Sequence, residues 1–242
     1  MSSSNRTKIA VVTGAGHRIG AEIAKTVIKL GYTLILHYYS SEEKAMELSN
    51  SLNDAGGVAI PCKANLIEES EIKQMWKFID SIKGEVKLLI NSATIMPGYQ
   101  FGNLTPEKFD QVIATNLRAP LLCSQEAANR MTSGAQIINI SDISAKLSWT
   151  GYPLYSVSKA ALDSLTRIMA KDLAPEIRVN GLAPGLVMPS TGIEETDWDL
   201  LIKKIPLKRS ALVEEITMAI NFLIENEYIT GQIITIDGGR TL

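Results

Sequence analysis

Short apolar runs alternate with helical segments along almost the whole of this chain. The first run, residues 8–13, is rich in β-branched residues and ends in a glycine turn, and a helical segment over residues 18–30 follows it. Further strands are predicted at residues 32–37, 58–62, 87–91, 136–140, 178–182 and 232–236. Strands separated by helices form parallel sheets covered on both faces through right-handed crossovers. The pattern therefore predicts an α/β fold, a doubly wound parallel sheet of about seven strands.

Length and composition indicate one ordinary globular domain. The 242 residues suit a single α/β domain, and a formal net charge of −2 disfavours a nucleic-acid surface. No apolar run is long enough for a membrane span and the N-terminus has no signal-peptide core, so a cytoplasmic location is expected. The two cysteines, Cys62 and Cys123, are expected to be reduced structural thiols, and no metal site is predicted.

The glycine turn after the first strand has the features of a phosphate-binding unit. It reads Thr13-Gly-Ala-Gly-His-Arg-Ile-Gly20 and leads directly into a helix, whose free backbone N–H groups and dipole attract anions. The guanidinium of Arg18 can make bidentate contacts to a dinucleotide phosphate, although a surface arginine that caps the turn is the alternative. The residues expected to hold the phosphates are Gly14, His17, Arg18, Ile19 and Gly20.

Tyr155 and Lys159 carry the second signal. They are four residues apart in a helical segment, so they share one helix face, and a cationic lysine there is expected to lower the tyrosine pKa. Together with the glycine turn, this pair resembles the short-chain dehydrogenase/reductase family over residues 8–242. The resemblance implies a single Rossmann-type domain, a nicotinamide cofactor and a homotetramer in which the helices that begin at Thr105 and Tyr155 pair between subunits.

The family pattern also suggests which residues meet the cofactor. Arg18 stands where the family usually has the middle glycine of the turn. The stretch after the second strand, residues 37–41, contains no acid to repel a 2′-phosphate, so NADPH is the predicted cofactor. Ser40 and Ser41 can equally cap the next helix. The resemblance implies further cofactor contacts from His37, Tyr38, Tyr39, Ser40, Asn65, Leu66, Asn91, Ser92, Ala93, Tyr155, Lys159, Pro184, Gly185 and Leu186.

Asp142 narrows the chemistry further. Most members of the family place a serine here, thirteen residues before the tyrosine, and its hydroxyl donates to a substrate carbonyl. An ionised carboxylate cannot donate, and it repels the alkoxide that forms when a ketone takes up hydride. The aspartate therefore favours reduction of a C=N bond, whose nitrogen must receive a proton, and pteridine reductases are the branch with this residue. Asn116 matches the asparagine that supports a water relay to the lysine, with helix packing as its alternative role.

The substrate contacts follow from the same resemblance. Residues 189–205 form a less regular insertion that is expected to act as a substrate lid. Met96 takes the place of the aromatic residue that stacks on the pterin in this branch, and Trp198 matches a tryptophan that lines the pocket. Arg240 is a candidate for a neighbouring subunit's site. The predicted substrate contacts are Arg18, Met96, Asp142, Tyr155, Leu186 and Trp198.

The sequence thus predicts an NADPH-dependent reductase of dihydropteridines such as dihydrobiopterin and dihydromonapterin, with dihydrofolate as a further substrate. Asp142 and Tyr155 deliver the proton, and Lys159 positions the nicotinamide ribose. A general carbonyl or 3-oxoacyl reductase is the first alternative, with Ser144 as hydroxyl donor, because Ser141 is expected to point away from the site. A non-catalytic dinucleotide sensor is the second.

Overall fold

The computed structural model describes residues 7–147, 149–189 and 194–242, and it contains one parallel sheet. The strands are β1 (Lys8–Val12), β2 (Thr33–Tyr38), β3 (Val58–Lys63), β4 (Glu85–Asn91), β5 (Ala135–Ile140), β6 (Ile177–Pro184) and β7 (Ile233–Ile236). They lie in the order β3-β2-β1-β4-β5-β6-β7, and every neighbouring pair is parallel. The predicted doubly wound sheet of seven strands is confirmed.

Helices cross between the strands on both faces. They are α1 (Arg18–Lys29), α2 (Glu42–Asp54), α3 (Glu69–Asp80), α4 (Pro106–Ile113), α5 (Ala119–Ala128), α6 (Pro153–Asp172), α7 (Glu195–Lys203) and α8 (Val213–Glu225). A π-helical turn, Ala114–Arg118, separates α4 from α5. None of the helices in the described parts of the chain is long and apolar enough to cross a membrane.

The core consists of two apolar layers, one on each face of the sheet. Successive strand residues point to opposite faces, so Val11 packs in one layer and Val12 in the other. Trp76 of α3 is fully buried in the first layer, and Ile220 of α8 is fully buried in the second. Cys62 and Cys123 are buried free thiols whose pKa burial raises, to about 11 and about 12.

Two segments depart from simple periodicity. Thr105 caps α4 as predicted, since its side chain accepts from the Lys108 amide, but that helix then widens into the π-helical turn. The expected lid over residues 189–205 contains the regular helix α7, and residues 190–193 of it lie outside the described residues.

The strand order places a crevice at one edge of the sheet. The chain adds β2 and β3 to one side of β1, then crosses to add β4 to the other side. Loops that leave the carboxyl ends of β1 and β4 therefore turn in opposite directions, and ligands of such folds bind in the gap between them.

Candidate active site

A cavity of about 1040 Å³ lies at the carboxyl ends of the strands. One set of lining residues, which we call the glycine-turn wall, comprises Gly14, residues 17–20 and residues 37–41. A second set, which we call the aromatic wall, comprises Met96, Trp149, Tyr152, Trp198, Lys204 and Arg240. Asp142, Tyr155 and Lys159 lie in the same cavity.

The glycine turn packs so tightly that side chains are excluded from it. Gly14 has a φ of +65°, and a Cβ there would lie 2.7 Å from Ala93 Cα. A Cβ on Gly20 would lie 2.2 Å from the carbonyl oxygen of Gly14. The first-turn amides of α1 have no intrahelical partner and no side-chain cap. A close-packed turn with uncapped amides fits the phosphates of a dinucleotide.

Arg18 occupies the left-handed region of backbone space, with a φ of 54°. Glycine adopts this conformation without strain, which is the physical reason a glycine suits this position in the turn. The Arg18 guanidinium donates to the carbonyl oxygens of Pro189 (2.9 Å) and Met188 (3.1 Å), and the residue lines the cavity. Arg18 therefore ties the glycine turn to the segment after β6.

His37 supports the glycine turn through hydrogen bonds within the protein. Its expected role was a contact with the cofactor. Its Nδ1 accepts from the Gly14 amide at 3.0 Å, and its Nε2 lies 3.0 Å from the Ala64 carbonyl oxygen, to which it donates in this tautomer. Burial lowers the pKa of His37 to about 4, so the ring is neutral at physiological pH. Both ring nitrogens are thus used within the protein, and the ring brings no positive charge to the cavity.

The residues after β2 leave the cavity without an acid at this end. Tyr38, Tyr39 and Ser40 line it as predicted. The next acid along the chain, Glu42, accepts from Lys63 Nζ at 2.6 Å, and neither of the two belongs to the cavity lining. Ser41 precedes α2 but does not cap it through its side chain.

Most of the other predicted cofactor residues also reach the cavity. The exception is Asn91, whose amide turns into the core and donates to Ser124 Oγ (3.1 Å) and Asn139 Oδ1 (2.8 Å). Thr13 Oγ1 accepts from the amides of Ser92 and Ala93, which fixes the end of β4 against the turn. The lining includes Gly14, His17, Arg18, Ile19, Gly20, Asn65, Leu66, Ser92, Ala93, Pro184, Gly185 and Leu186.

Asp142 and Tyr155 form a hydrogen-bonded pair that faces the cavity. The Tyr155 hydroxyl donates to Asp142 Oδ2 at 3.0 Å, and the amide of Ser144 donates to Asp142 Oδ1 at 2.7 Å. The pair forms because Asp142 follows β5 and Tyr155 lies in the first turn of α6. Burial raises the pKa of the Asp142 carboxyl above its usual range. A carboxyl that holds its proton more tightly is a better proton donor near neutral pH.

Lys159 does not lower the tyrosine pKa, so that expectation is wrong for this structure. Burial, reinforced by the neighbouring Asp142, raises the pKa of Tyr155 well above its usual value. The ammonium of Lys159 lies 5.6 Å from the centre of the tyrosine ring and donates to the carbonyl oxygen of Ile140 at 2.8 Å. Burial lowers the pKa of Lys159 to about 8, against the attraction of Asp142 and Asp163. Tyr155 is therefore a neutral phenol in the resting site, and its hydroxyl donates to Asp142.

Asn116 braces the site from within the π-helical turn. Its Oδ1 accepts from the Ile95 amide (2.9 Å) and from Thr94 Oγ1 (3.1 Å), and its Nδ2 donates to the Ile95 carbonyl oxygen (2.9 Å) and Ser158 Oγ (3.1 Å). These bonds join the segment after β4 to α6. The side chain is fully buried and lies outside the cavity lining.

The two serines near Asp142 are both buried. Ser144 is not among the residues that line the cavity, which differs from its alternative role as a hydroxyl donor. Ser141 borders the cavity, but its hydroxyl is buried and lies by Asp163, so this side chain points away from the site as expected. Asp163 lies one helical turn beyond Lys159 on α6, so a second carboxyl is close to this lysine. Burial raises the pKa of Asp163.

The aromatic wall includes residues that sequence reasoning missed. Met96 and Trp198 line the cavity, in agreement with prediction. Trp149 and Tyr152 line it too, with ring centroids 6.4 Å apart and planes at 70°. Their position just before Tyr155 in the sequence was the available signal. Arg240 lies in the cavity of its own chain, rather than only at a neighbouring subunit's site as expected.

The arrangement combines the parts needed for hydride chemistry. It has a dinucleotide-sized cavity, a phosphate-binding turn, a buried cation and a carboxyl–phenol pair that can give a proton.

Comparison with known proteins agrees with this class. A family profile described as "Enoyl-(Acyl carrier protein) reductase" matches residues 14–241. The chain therefore belongs to the short-chain dehydrogenase/reductase family, and it is an NAD(P)-dependent oxidoreductase.

Relatives within this family have several names. An uncharacterized oxidoreductase, YgfF of Escherichia coli, is 33% identical and covers 96% of this chain and 99% of its own length. The 3-oxoacyl-[acyl-carrier-protein] reductase FabG of Staphylococcus epidermidis is 32% identical, with coverage of 96% and 98%. Among solved structures, the alternative dihydrofolate reductase FolM of Brucella canis, complexed with NADP, is 30% identical, with a TM-score of 0.91 and coverage of 97% and 94%.

Proposed function

We propose that this protein is an NADPH-dependent reductase of pterins. Candidate substrates are dihydrobiopterin, dihydromonapterin and dihydrofolate, each reduced at a C=N bond. The observation that carries the proposal is the Asp142–Tyr155 pair, a carboxyl in the cavity at 3.0 Å from a phenol that donates to it. The similarity to FolM structures complexed with NADP supports the same reading.

The proton is delivered from this pair. NADPH, when bound, supplies a hydride to the carbon of the C=N bond. The neighbouring nitrogen then needs a proton, and Asp142, whose pKa is raised by burial, gives it directly or relays it with Tyr155. The Ser144 amide holds one carboxyl oxygen at 2.7 Å, so the other stays directed at the phenol. Lys159 places a positive charge beneath the pair, where it supports the carboxylate left after proton transfer.

The preference for NADPH rests on the charges at the glycine-turn wall. No acid lines this end of the cavity in the described residues, and Glu42 is paired with Lys63. The Arg18 guanidinium is held by two backbone carbonyls, but these are neutral, so its positive charge still acts on this end of the cavity. A 2′-phosphate is therefore not repelled there. We expect a lower KM for NADPH than for NADH, by about tenfold, because one charge-assisted contact contributes on that order.

Carbonyl or 3-oxoacyl reduction is the second candidate, because FabG proteins are among the relatives. Its expected hydroxyl donor, Ser144, is buried outside the cavity lining, and the carboxyl of Asp142 would oppose a forming alkoxide. This candidate therefore needs a rearranged site.

The deciding experiment measures NADPH oxidation by the wild type and by Asp142→Ser with the three pterins and with a panel of ketones and acetoacetyl thioester. We expect pterin turnover in the wild type and a loss of about 10²–10³-fold in kcat for Asp142→Ser, the size typical of general acid catalysis. Ketone turnover by the wild type that survives in Asp142→Ser, without pterin turnover, would establish the second candidate. NADPH binding without turnover of any substrate would leave a dinucleotide sensor.

A homotetramer is part of the proposal. Apolar side chains are exposed on α4 (Phe109), α5 (Leu121) and α6 (Val157 and Ile168), at 40–55% exposure. Such a concentration of exposed apolar groups on adjacent helices is typical of an interaction surface. Light scattering coupled to size exclusion should give about four times the chain mass of 26.4 kDa, and a paired substitution of Val157 and Ile168 by lysine should shift it toward smaller species.

A further inference from the structure

Lys204 and Arg240 are two cations of the aromatic wall that have no acidic partner among the described residues. Lys204 directly follows α7, and Arg240 lies in the turn after β7. In residues 7–147, 149–189 and 194–242, no ion pair involves either side chain. Their side chains likewise donate none of the hydrogen bonds found there, and neither stacks on an aromatic ring.

The two cations lie on neighbouring segments. The Leu207 amide, just beyond the lid helix, donates to the carbonyl oxygen of Gly238 at 3.2 Å, and a Cβ on Gly238 would meet Ile205 at 2.7 Å. The nearest acid in sequence, Asp237, accepts from the amides of Gly239 (2.9 Å) and Thr241 (2.8 Å). The Asp237 carboxylate thus holds the turn and forms no ion pair with Arg240 among the described residues, and Arg240 lines the cavity.

The cavity lining contains more positively charged than negatively charged side chains. Asp142 is the single acidic residue in its described lining, and its carboxyl is bonded to Tyr155 and Ser144. Arg18 is engaged by two backbone carbonyls, and Lys159 by a third. Among the described residues, Lys204 and Arg240 are therefore the lining cations without a hydrogen-bond or ion-pair partner, and two positive charges in one cavity favour an anion.

We infer that Lys204 and Arg240 form a subsite for an anionic substituent of the substrate, a carboxylate or a phosphate. The inference rests on the proposed function for the identity of the reacting ring, and it narrows the substrate class. Pterins with a charged tail, such as dihydrofolate with its glutamate carboxylates or a phosphorylated dihydropterin, are preferred over neutral dihydrobiopterin. Trp198 and Leu201 of α7 line the cavity beside Lys204 and offer apolar cover for a linker.

The test compares the wild type with Lys204→Gln, Arg240→Gln and the double variant. Lys203→Gln is the matched control, because it removes the same charge from the neighbouring exposed lysine, which is not in the cavity lining. For each protein, kcat and KM are measured with dihydrofolate, dihydroneopterin phosphate and dihydrobiopterin. Binding of folate and of biopterin to the NADP⁺ complex is measured separately by quenching of tryptophan fluorescence.

For the double variant we expect kcat/KM with dihydrofolate to fall about 30- to 100-fold, mostly through KM, because each cation contributes roughly tenfold through a charge-assisted contact. The kcat/KM with dihydrobiopterin should change less than about threefold, because this neutral substrate has no anionic group to contact the two cations. A larger effect with the phosphate ester than with dihydrofolate would identify phosphate as the anion. The control should match the wild type, and folate binding should weaken in parallel with KM.

Three outcomes overturn the inference. Equal losses with charged and neutral pterins, or with the Lys203→Gln control, would show that the charges act only through folding or the general field. A raised KM for NADPH with an unchanged KM for dihydrofolate would assign the cations to the cofactor. Folate binding that is insensitive to both substitutions would remove the subsite. Failure of the proposed function would look different from failure of the subsite, because folate would then bind in a charge-dependent way while no pterin is reduced.

Discussion

The two walls of the cavity are built in different ways. The glycine-turn wall is held by backbone groups, since the Gly14 amide donates to His37 and the amides of Ser92 and Ala93 donate to Thr13. The aromatic wall is made of side chains that contact one another at their edges, such as Trp149 and Tyr152. A backbone-built wall tolerates little change, whereas a side-chain wall can be altered at small cost to the fold. We therefore expect substitutions in the glycine-turn wall to affect folding and cofactor binding together, and substitutions in the aromatic wall to affect mainly the substrate.

The largest effect is expected from breaking the glycine-turn wall with Gly20→Ala. Because its Cβ would lie 2.2 Å from the Gly14 carbonyl oxygen, the turn must move, which costs about 3 kcal/mol of folding stability. The misplaced amides should weaken NADPH binding by roughly a thousandfold, since several charge-assisted hydrogen bonds are lost together. Urea unfolding and titration of NADPH fluorescence measure the two effects.

Gly102→Ala is the control for that substitution, because a Cβ at Gly102 meets nothing within 4 Å. It should leave stability and NADPH affinity within about 0.5 kcal/mol of the wild type. A Gly20→Ala protein that binds NADPH as tightly as this control would mean that the turn is not the phosphate site.

Between the walls, Asp142→Asn should move activity and stability in opposite directions. Turnover of pterins should fall by roughly 10²–10³-fold, because an amide N–H is far too weak an acid to transfer its proton. The folded pKa of Asp142 is raised, so the native state binds more protons than the unfolded one and stability falls as the pH rises through that window. Asparagine does not titrate, so the variant should lack this fall and be the more stable protein at pH 7. Unfolding curves from pH 4 to 8 test this, and a wild type whose stability rises relative to the variant over that range contradicts it.

Lys159 should also affect the pH dependence of folding stability, in the direction expected of a buried base. Its folded pKa is lowered to about 8, so between pH 8 and 10 the unfolded state binds more protons and the native state gains stability as the pH rises. The gain should be about 2 kcal/mol relative to Lys159→Met, which has no group to titrate there. Urea unfolding at pH 8, 9 and 10 checks it. Parallel curves for the two proteins would show that the lysine is hydrated rather than buried.

Features that depend on local signals, such as the glycine turn, could be predicted from the sequence. The strands lie within about three residues of their predicted bounds, because hydrophobic period and glycine punctuation are local signals. The glycine turn and the Tyr155/Lys159 spacing are local as well, and both lead to the cavity.

What the sequence did not predict depends on distant partners. His37 is neutral because Gly14 and Ala64 enclose it, and Asn91 leaves the cavity because Ser124 and Asn139 take its amide. The pKa of Tyr155 is raised by burial and by the neighbouring Asp142, which lies on a different element. Each of these outcomes is set by tertiary contacts, which residue spacing along one element does not encode.

The smallest effect should come from the aromatic wall, through Met96→Phe. Met96 lines the cavity, and a thioether covers a flat ring with less geometric preference than a phenyl ring does. The substitution should lower KM for pterins about three- to tenfold, because an aromatic pair contributes roughly 1 kcal/mol, and it should leave KM for NADPH unchanged. Met218→Phe is the control, since Met218 is 70% exposed on α8 and outside the cavity lining. If both substitutions leave KM unchanged, Met96 does not stack on the substrate, and pterin recognition falls to Trp149, Tyr152 and Trp198, each of which can then be replaced by leucine in turn.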